Sequence, residues 1–204
     1  MMTTNERSQR HVWRSPFGVA VVAIAVALAL LTACGTPTQS LTMSLSPADA
    51  LQLRTWVPDG LKGNVALEGV KGGEATQTWW GSKVSSLALS QALEDSLRSV
   101  GMLPMAPGAG SKYQLQVQLL SLDQPLLATA TTVTAAIQYS LVAKADGTVL
   151  YQRTVRTAAT ANLGDALLSP SERLRLASEA SVRSNIITVM RDLLSVKLLE
   201  PPAR

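Results

Sequence analysis

The sequence predicts an α+β domain, an antiparallel sheet of four to five strands with two long helices packed on one face. Three observations carry that expectation. Residues 113–119 alternate apolar side chains with glutamines, the period-two pattern of a half-buried strand. Residues 130–144 and 148–157 alternate likewise on either side of Asp146-Gly147, a hairpin signal. Two stretches, 86–100 and 170–198, repeat apolar residues every three or four positions, as helices do. Each helix has an apolar stripe to bury and the sheet has one apolar face, so both helices belong on that face.

In chain order, residues 35–48 are rich in Ser, Thr and Pro and are expected to form a tether, segment 34–48, ahead of a domain spanning 49–204. Alternation of Leu41, Met43 and Leu45 leaves an ordered edge segment as the other reading. Residues 50–57 are expected as a first strand, with Leu51, Leu53 and Val57 on one side. Pro58-Asp59-Gly60 is a turn, and 64–70 a second short strand. The first helix has Leu89, Leu93, Leu97 and Val100 as its stripe. Ser85 or Ser86 caps it, and Gly101 takes the left-handed exit. In the last helix, Ser169-Pro170-Ser171-Glu172 is a capping box. Its buried stripe is expected at Leu176, Ala180, Ile187, Met190 and Leu194, with Arg175, Glu179 and Arg183 as a solvated ladder.

The hairpin register follows from its apolar faces. A two-residue Asp-Gly turn would set Leu141 opposite Gln152 and turn Tyr151 to the polar side. A one-residue slip inverts every side chain, so the faces decide. A three-residue loop, Ala145-Asp146-Gly147, sets Leu141 opposite Tyr151 and Ile137 opposite Val155, with Gly147 left-handed.

The amino-terminal stretch has a different character. Arg7, Arg10 and Arg14 face one acid, Glu6, and Phe17–Leu31 follows without a polar side chain. As a helix those fifteen residues would measure about 22 Å at ~1.5 Å per residue, short of a bilayer core. A basic start, an apolar run and then small residues make the pattern of an export signal over residues 1–33. Where the run stops, Leu31-Thr32-Ala33-Cys34 resembles the lipobox of bacterial lipoproteins. That resemblance implies cleavage between Ala33 and Cys34, a diacylglycerol on the Cys34 sulfur and an acylated new amino terminus. Two or more acyl chains anchor stably where one does not. The family's inner-membrane retention signal is an Asp after the cysteine, and Gly35 stands there. The implied location is therefore the periplasmic side of the outer membrane, with the inner membrane as the other choice.

Removing residues 1–33 leaves 171 residues, enough for one core, and lowers the formal net charge from +4 to +2. Nucleic acid is not expected as a partner, because phosphate binding needs a concentrated basic face. The only histidine, His11, lies in the signal, and the only cysteine is Cys34. No His-based triad, thiol nucleophile or His/Cys metal site is then expected, and no cofactor. Glu94-Asp95 are adjacent on a helix and point apart, and Asp165 is expected to order its own loop. Gly69–Gly73 lacks the phosphate-loop pattern.

Two surfaces remain as candidates for contact with a partner. Trp79-Trp80 cannot both be buried on one strand face, so the pair either offers an aromatic anchor or forms a lid over the core. The polar sheet face of Gln114, Gln116, Gln118, Thr132, Thr134, Gln138 and Ser140 is nearly free of charge, which suits association with another surface. The order helix, Tyr-x-Leu-x-Val-x-Leu strand, Asp-Gly hairpin and final helix over 84–198 resembles two kinds of small envelope lipoprotein. These are the lipopolysaccharide-assembly lipoprotein and the auxiliary lipoproteins of lipid-transporting ABC systems. The resemblance implies a non-catalytic protein that binds or scaffolds an envelope assembly or transport complex, and it transfers no site residue. A small-ligand or lipid-binding lipoprotein is the alternative.

Overall fold

The computed structural model divides the chain into two units, Met1–Cys34 and Gly35–Arg204. The residues described are 38–72, 84–105, 110–124, 131–167 and 169–196, all in the second unit. The export signal, the Ala33–Cys34 cleavage site, the lipidation site at Cys34 and Trp79-Trp80 lie outside them.

The elements in order are helices α1 (Ser40–Met43) and α2 (Pro47–Arg54), strand β1 (Val65–Gly72) and helix α3 (Ser86–Ser99). Strands β2 (Tyr113–Asp123), β3 (Thr131–Ala143) and β4 (Val149–Ala161) follow, then helix α4 (Pro170–Leu194). The four strands make one sheet in the order β1-β2-β3-β4. Both long helices, α3 and α4, bury one face against the same side of it, in a core built around Leu89, Leu93, Leu115, Ile137, Tyr139, Leu141 and Ile186.

The sheet is mixed, which corrects the expected all-antiparallel arrangement. β2–β3 and β3–β4 are antiparallel, but β1 lies parallel to β2, pairing Val65 with Tyr113 and Val70 with Val117. The reason is the connection. A long crossover through a helix delivers a neighbouring strand in the same direction, whereas a hairpin reverses it.

The expected strand at 50–57 is α2 and the turn after it. Ser46 caps this helix, its hydroxyl accepting the Asp49 N–H at 3.2 Å, and Pro47 takes the first helical position. Ala50, Leu53 and Val57 are buried at helical spacing while Leu51 is exposed, so period two does not describe the segment. Residues 38–48, within the segment expected as a tether, are packed against the domain. Met43 is fully buried, Leu45 nearly so, and the Gln39 N–H donates to Glu179 Oε1 at 2.8 Å. Both short helices pack on α3 and α4.

Helix α3 has its expected cap at Ser85, which accepts from the Ala88 N–H at 3.1 Å, and its exit through Gly101 at φ +81°. Across the hairpin Leu141 faces Tyr151 and Ile137 faces Val155, as expected. The turn itself is one residue longer than expected. Ala143 N–H bonds Thr148 O at 2.8 Å, closing a four-residue loop, Lys144–Gly147, with Gly147 at φ +74°. A bulge at Leu150 takes up the difference, since Val142 pairs with Val149 and Leu141 with Tyr151.

The buried stripe of α4 is rotated from the one expected. Leu174, Ala177, Val182, Ile186, Val189, Met190 and Leu193 are buried, whereas Ala180 is exposed and Leu176, Ile187 and Leu194 are half-buried. Polar side chains share the buried face. Ser181 Oγ accepts from the Ala135 N–H at 3.0 Å and donates to Thr157 O at 2.8 Å, bridging β3 and β4. Glu179, expected in water, is 3% exposed, and Arg175 joins it at 2.6 Å and also binds Glu172. Pairing and the Gln39 N–H meet the buried carboxylate's need for donors.

Candidate functional site: the open sheet face

The strand face away from α3 and α4 is polar and wet, and the alternation of each strand builds it. In β2, Leu115, Val117 and Leu119 go to the core and Gln116 and Gln118 are exposed on the other side. In β3, Thr132 is exposed and Thr134, Gln138 and Ser140 are half-buried. The register sets these side chains in rows: Gln116 beside Ser140 and Gln152, and Gln118 beside Gln138 and Thr154. Thr132 and Thr160 are hydroxyl-bonded across β3–β4 at 2.8 Å.

All seven residues named from the sequence, Gln114 to Ser140, thus fall on one face. β4 adds Gln152, Thr154 and Thr160, which sequence reasoning passed over. The signal was present, since these positions alternate with the buried Val155.

The centre of the face carries no charge. Glu68 and Lys71 stand on edge strand β1, Arg156 is exposed on the opposite edge strand, β4, and Asp123 is exposed at the end of β2, opposite Thr134. Toward β1 the face dips into a half-open depression lined by Glu68, Lys71, Gln116, Gln118, Gln138 and Gln152. Among the described residues, the amides of Gln116, Gln118, Gln138 and Gln152 have no hydrogen-bond partner inside the chain. Each carboxamide both donates and accepts. A neutral middle with charge at its margins is also the distribution that protein interfaces favour.

The acids weighed from the sequence do not join this face. Asp95 is paired with Arg98 at 3.0 Å on α3. Asp165 accepts the Asn162 N–H at 2.7 Å and closes its own short turn, the loop-ordering role expected of it. Among the described residues no three His, Cys, Asp or Glu side chains gather to hold a metal ion, and no helix is long and apolar enough to cross a membrane.

No protein-family model matches the chain, and no curated protein does. Solved structures are similar to it at low identity. One is a protein described as a lipoprotein from Caulobacter crescentus, 12% identical over 71% of this chain and 93% of that one, with a TM-score of 0.47. Another is a protein of family DUF330 from Xanthomonas campestris, 12% identical over 68% of this chain and 86% of that one, at 0.46. A third is the PelC dodecamer from Paraburkholderia phytofirmans, 12% identical over 67% of this chain and 89% of that one, at 0.46. At these identities and scores the likeness assigns neither a family nor an activity.

Proposed function

We propose that the mature chain is a lipid-anchored lipoprotein on the periplasmic side of the outer membrane. In this reading it is non-catalytic and binds or scaffolds a protein complex of envelope assembly or transport. The lipobox Leu31-Thr32-Ala33-Cys34 supports the anchor, and Gly35 after it supports the outer membrane. The binding role rests on one observation, the exposed sheet face with a neutral, hydrogen-bonding centre and charge only at its margins, on the two edge strands and at Asp123 where β2 ends. A protein partner is favoured over a small ligand because the hydrogen-bonding side chains extend along the strands well beyond the half-open depression near β1, from Gln116 and Gln118 to Thr132 and Thr160.

The test is photo-crosslinking in intact cells from Gln118 and Gln138, each replaced in turn by a photoreactive residue. A discrete adduct with one envelope protein from both positions, and none from the exposed helix position Arg191, is the expected result. Repeated recovery of the chain alone would remove the binding role. Radiolabelled palmitate tests the anchor: it should label the wild type and not Cys34→Ala.

A further inference from the structure

The chain from Cys34 to the domain is very short. Gln39 is already fixed, its N–H on the buried Glu179 carboxylate at 2.8 Å, and Met43 is sealed in the core. Five residue-to-residue steps lead from Cys34 to Gln39, and at about 3.6 Å each they span at most about 18 Å when fully extended. A polar headgroup layer is itself about 6 Å deep on each side of the hydrocarbon. A lipid on Cys34 would therefore hold the domain against the bilayer, with no stalk between them.

The elements nearest that attachment carry an unusual surface. α1 and α2, with the turn after α2, expose Leu41 at 77%, Leu51 at 68% and Trp56 at 72%, and Arg54 is exposed among them. Both helices pack on α3 and α4, so they belong to the helical side of the domain while the polar strand face belongs to the other. Tryptophan settles at the membrane–water boundary, where its ring is apolar and its N–H is wet. Arginine there is drawn to anionic headgroups.

We propose that α1 and α2 form the surface by which the domain lies on the membrane, with Leu41, Leu51 and Trp56 entering the interfacial layer and Arg54 at the headgroups. This rests on Cys34 carrying lipid. It also gives the molecule an orientation, with the neutral strand face turned from the bilayer.

The test uses the mature lipoprotein reconstituted into vesicles of phosphatidylethanolamine and phosphatidylglycerol, with or without bromine on the acyl chains. In a Trp79→Phe, Trp80→Phe background Trp56 is the sole tryptophan after the signal. Brominated lipid should quench the larger part of its emission. If that background folds poorly, the difference in quenching between wild type and Trp56→Phe isolates the same residue, which is exposed and free to change. Intact mass separates the two claims. A chain with no lipid on Cys34 overturns both the anchor and this orientation. A lipidated chain that floats with the vesicles but leaves Trp56 unquenched overturns the orientation alone, and leaves the surface to a second copy or a protein partner.

Discussion

Tyr139 and Asn185 meet where α4 crosses the sheet, the phenol O–H donating to Asn185 Oδ1 at 2.9 Å with both residues fully buried. Asn185 also donates through Nδ2 to Val155 O at 2.9 Å and Thr157 Oγ1 at 3.0 Å, so one amide ties α4 to both β3 and β4. Removing it orphans the Tyr139 hydroxyl in a site water does not reach, which costs more than the bond itself contributes. Asn185→Ala should lower stability by about 3 kcal/mol, combining unpaired groups with a cavity. Tyr139→Phe should cost about 1–2 kcal/mol. The double variant should be little worse than Asn185→Ala, since the pair acts as a unit. Urea unfolding of all three checks this, and strict additivity would contradict it.

Alkaline pH should unfold the domain through the same tyrosine. Burial pushes the Tyr139 phenol above its ordinary range, and burial followed by the Asp192 hydrogen bond at 2.7 Å does the same to Tyr151. A raised folded value means the unfolded chain releases its proton first. The stabilisation is complete below the unfolded tyrosine value, about 10, and falls as pH rises beyond it. Tyr139 alone should contribute a slope of about 1.4 kcal/mol per pH unit above pH ~10. Tyrosinate absorbance should rise together with loss of secondary structure, and Tyr139→Phe should flatten the slope.

Two glycines should respond differently to alanine. Both have positive φ, +87° at Gly72 and +74° at Gly147. Beside Gly147 there is open space, so Gly147→Ala meets only backbone strain, about 1 kcal/mol. A Cβ on Gly72 would overlap the carbonyl oxygen of Leu119 in the neighbouring strand. Gly72→Ala must therefore separate the end of β1 from β2, and amide exchange at Val70 and Lys71 should accelerate while the β3–β4 hairpin stays protected.

How much of this was legible in the sequence depends on which signal each element carries. The strands β2 to β4, and the facing apolar pairs of the β3–β4 hairpin, could be read because a core on one side forces alternation. Strand direction could not, because alternation looks the same in parallel and antiparallel neighbours, so β1 was placed in the wrong sense. The Ser46-Pro47-x-Asp49 cap of α2 has the form that located α4 at Ser169-Pro170-x-Glu172, but Leu51, Leu53 and Val57 imitate a strand and outweighed it. For α4 the failure was of face. Ser178, Ser181 and Asn185 look like a solvent stripe until the backbone groups they bond are known. The polar sheet face was readable over β2 and β3 for the same reason as the strands, and Trp79-Trp80 and Cys34 stay outside the described residues.

The Glu179 carboxylate offers the sharpest test of how the amino-terminal segment is held. It is 3% exposed and accepts from the Arg175 guanidinium at 2.6 Å and from the Gln39 N–H at 2.8 Å on one oxygen. Arg175 has a second partner in Glu172, whose carboxyl it holds below the usual range. Glu172 is at the helix start and partly wet, so Glu172→Gln should cost under about 1 kcal/mol. In Glu179→Ala, Arg175 keeps Glu172 but the Gln39 N–H loses its acceptor and α1 its latch. The expected cost is about 2–3 kcal/mol, below the full penalty for a buried charge stripped of every partner. The loss should also be local. Amide exchange over 39–45 should rise sharply in Glu179→Ala while 137–141 in β3 keeps its protection, and Glu179→Gln, which can still accept from Gln39, should restore most of it. Uniform acceleration across the whole domain would mean that Glu179 supports the core at large and that α1 is held by Met43 alone.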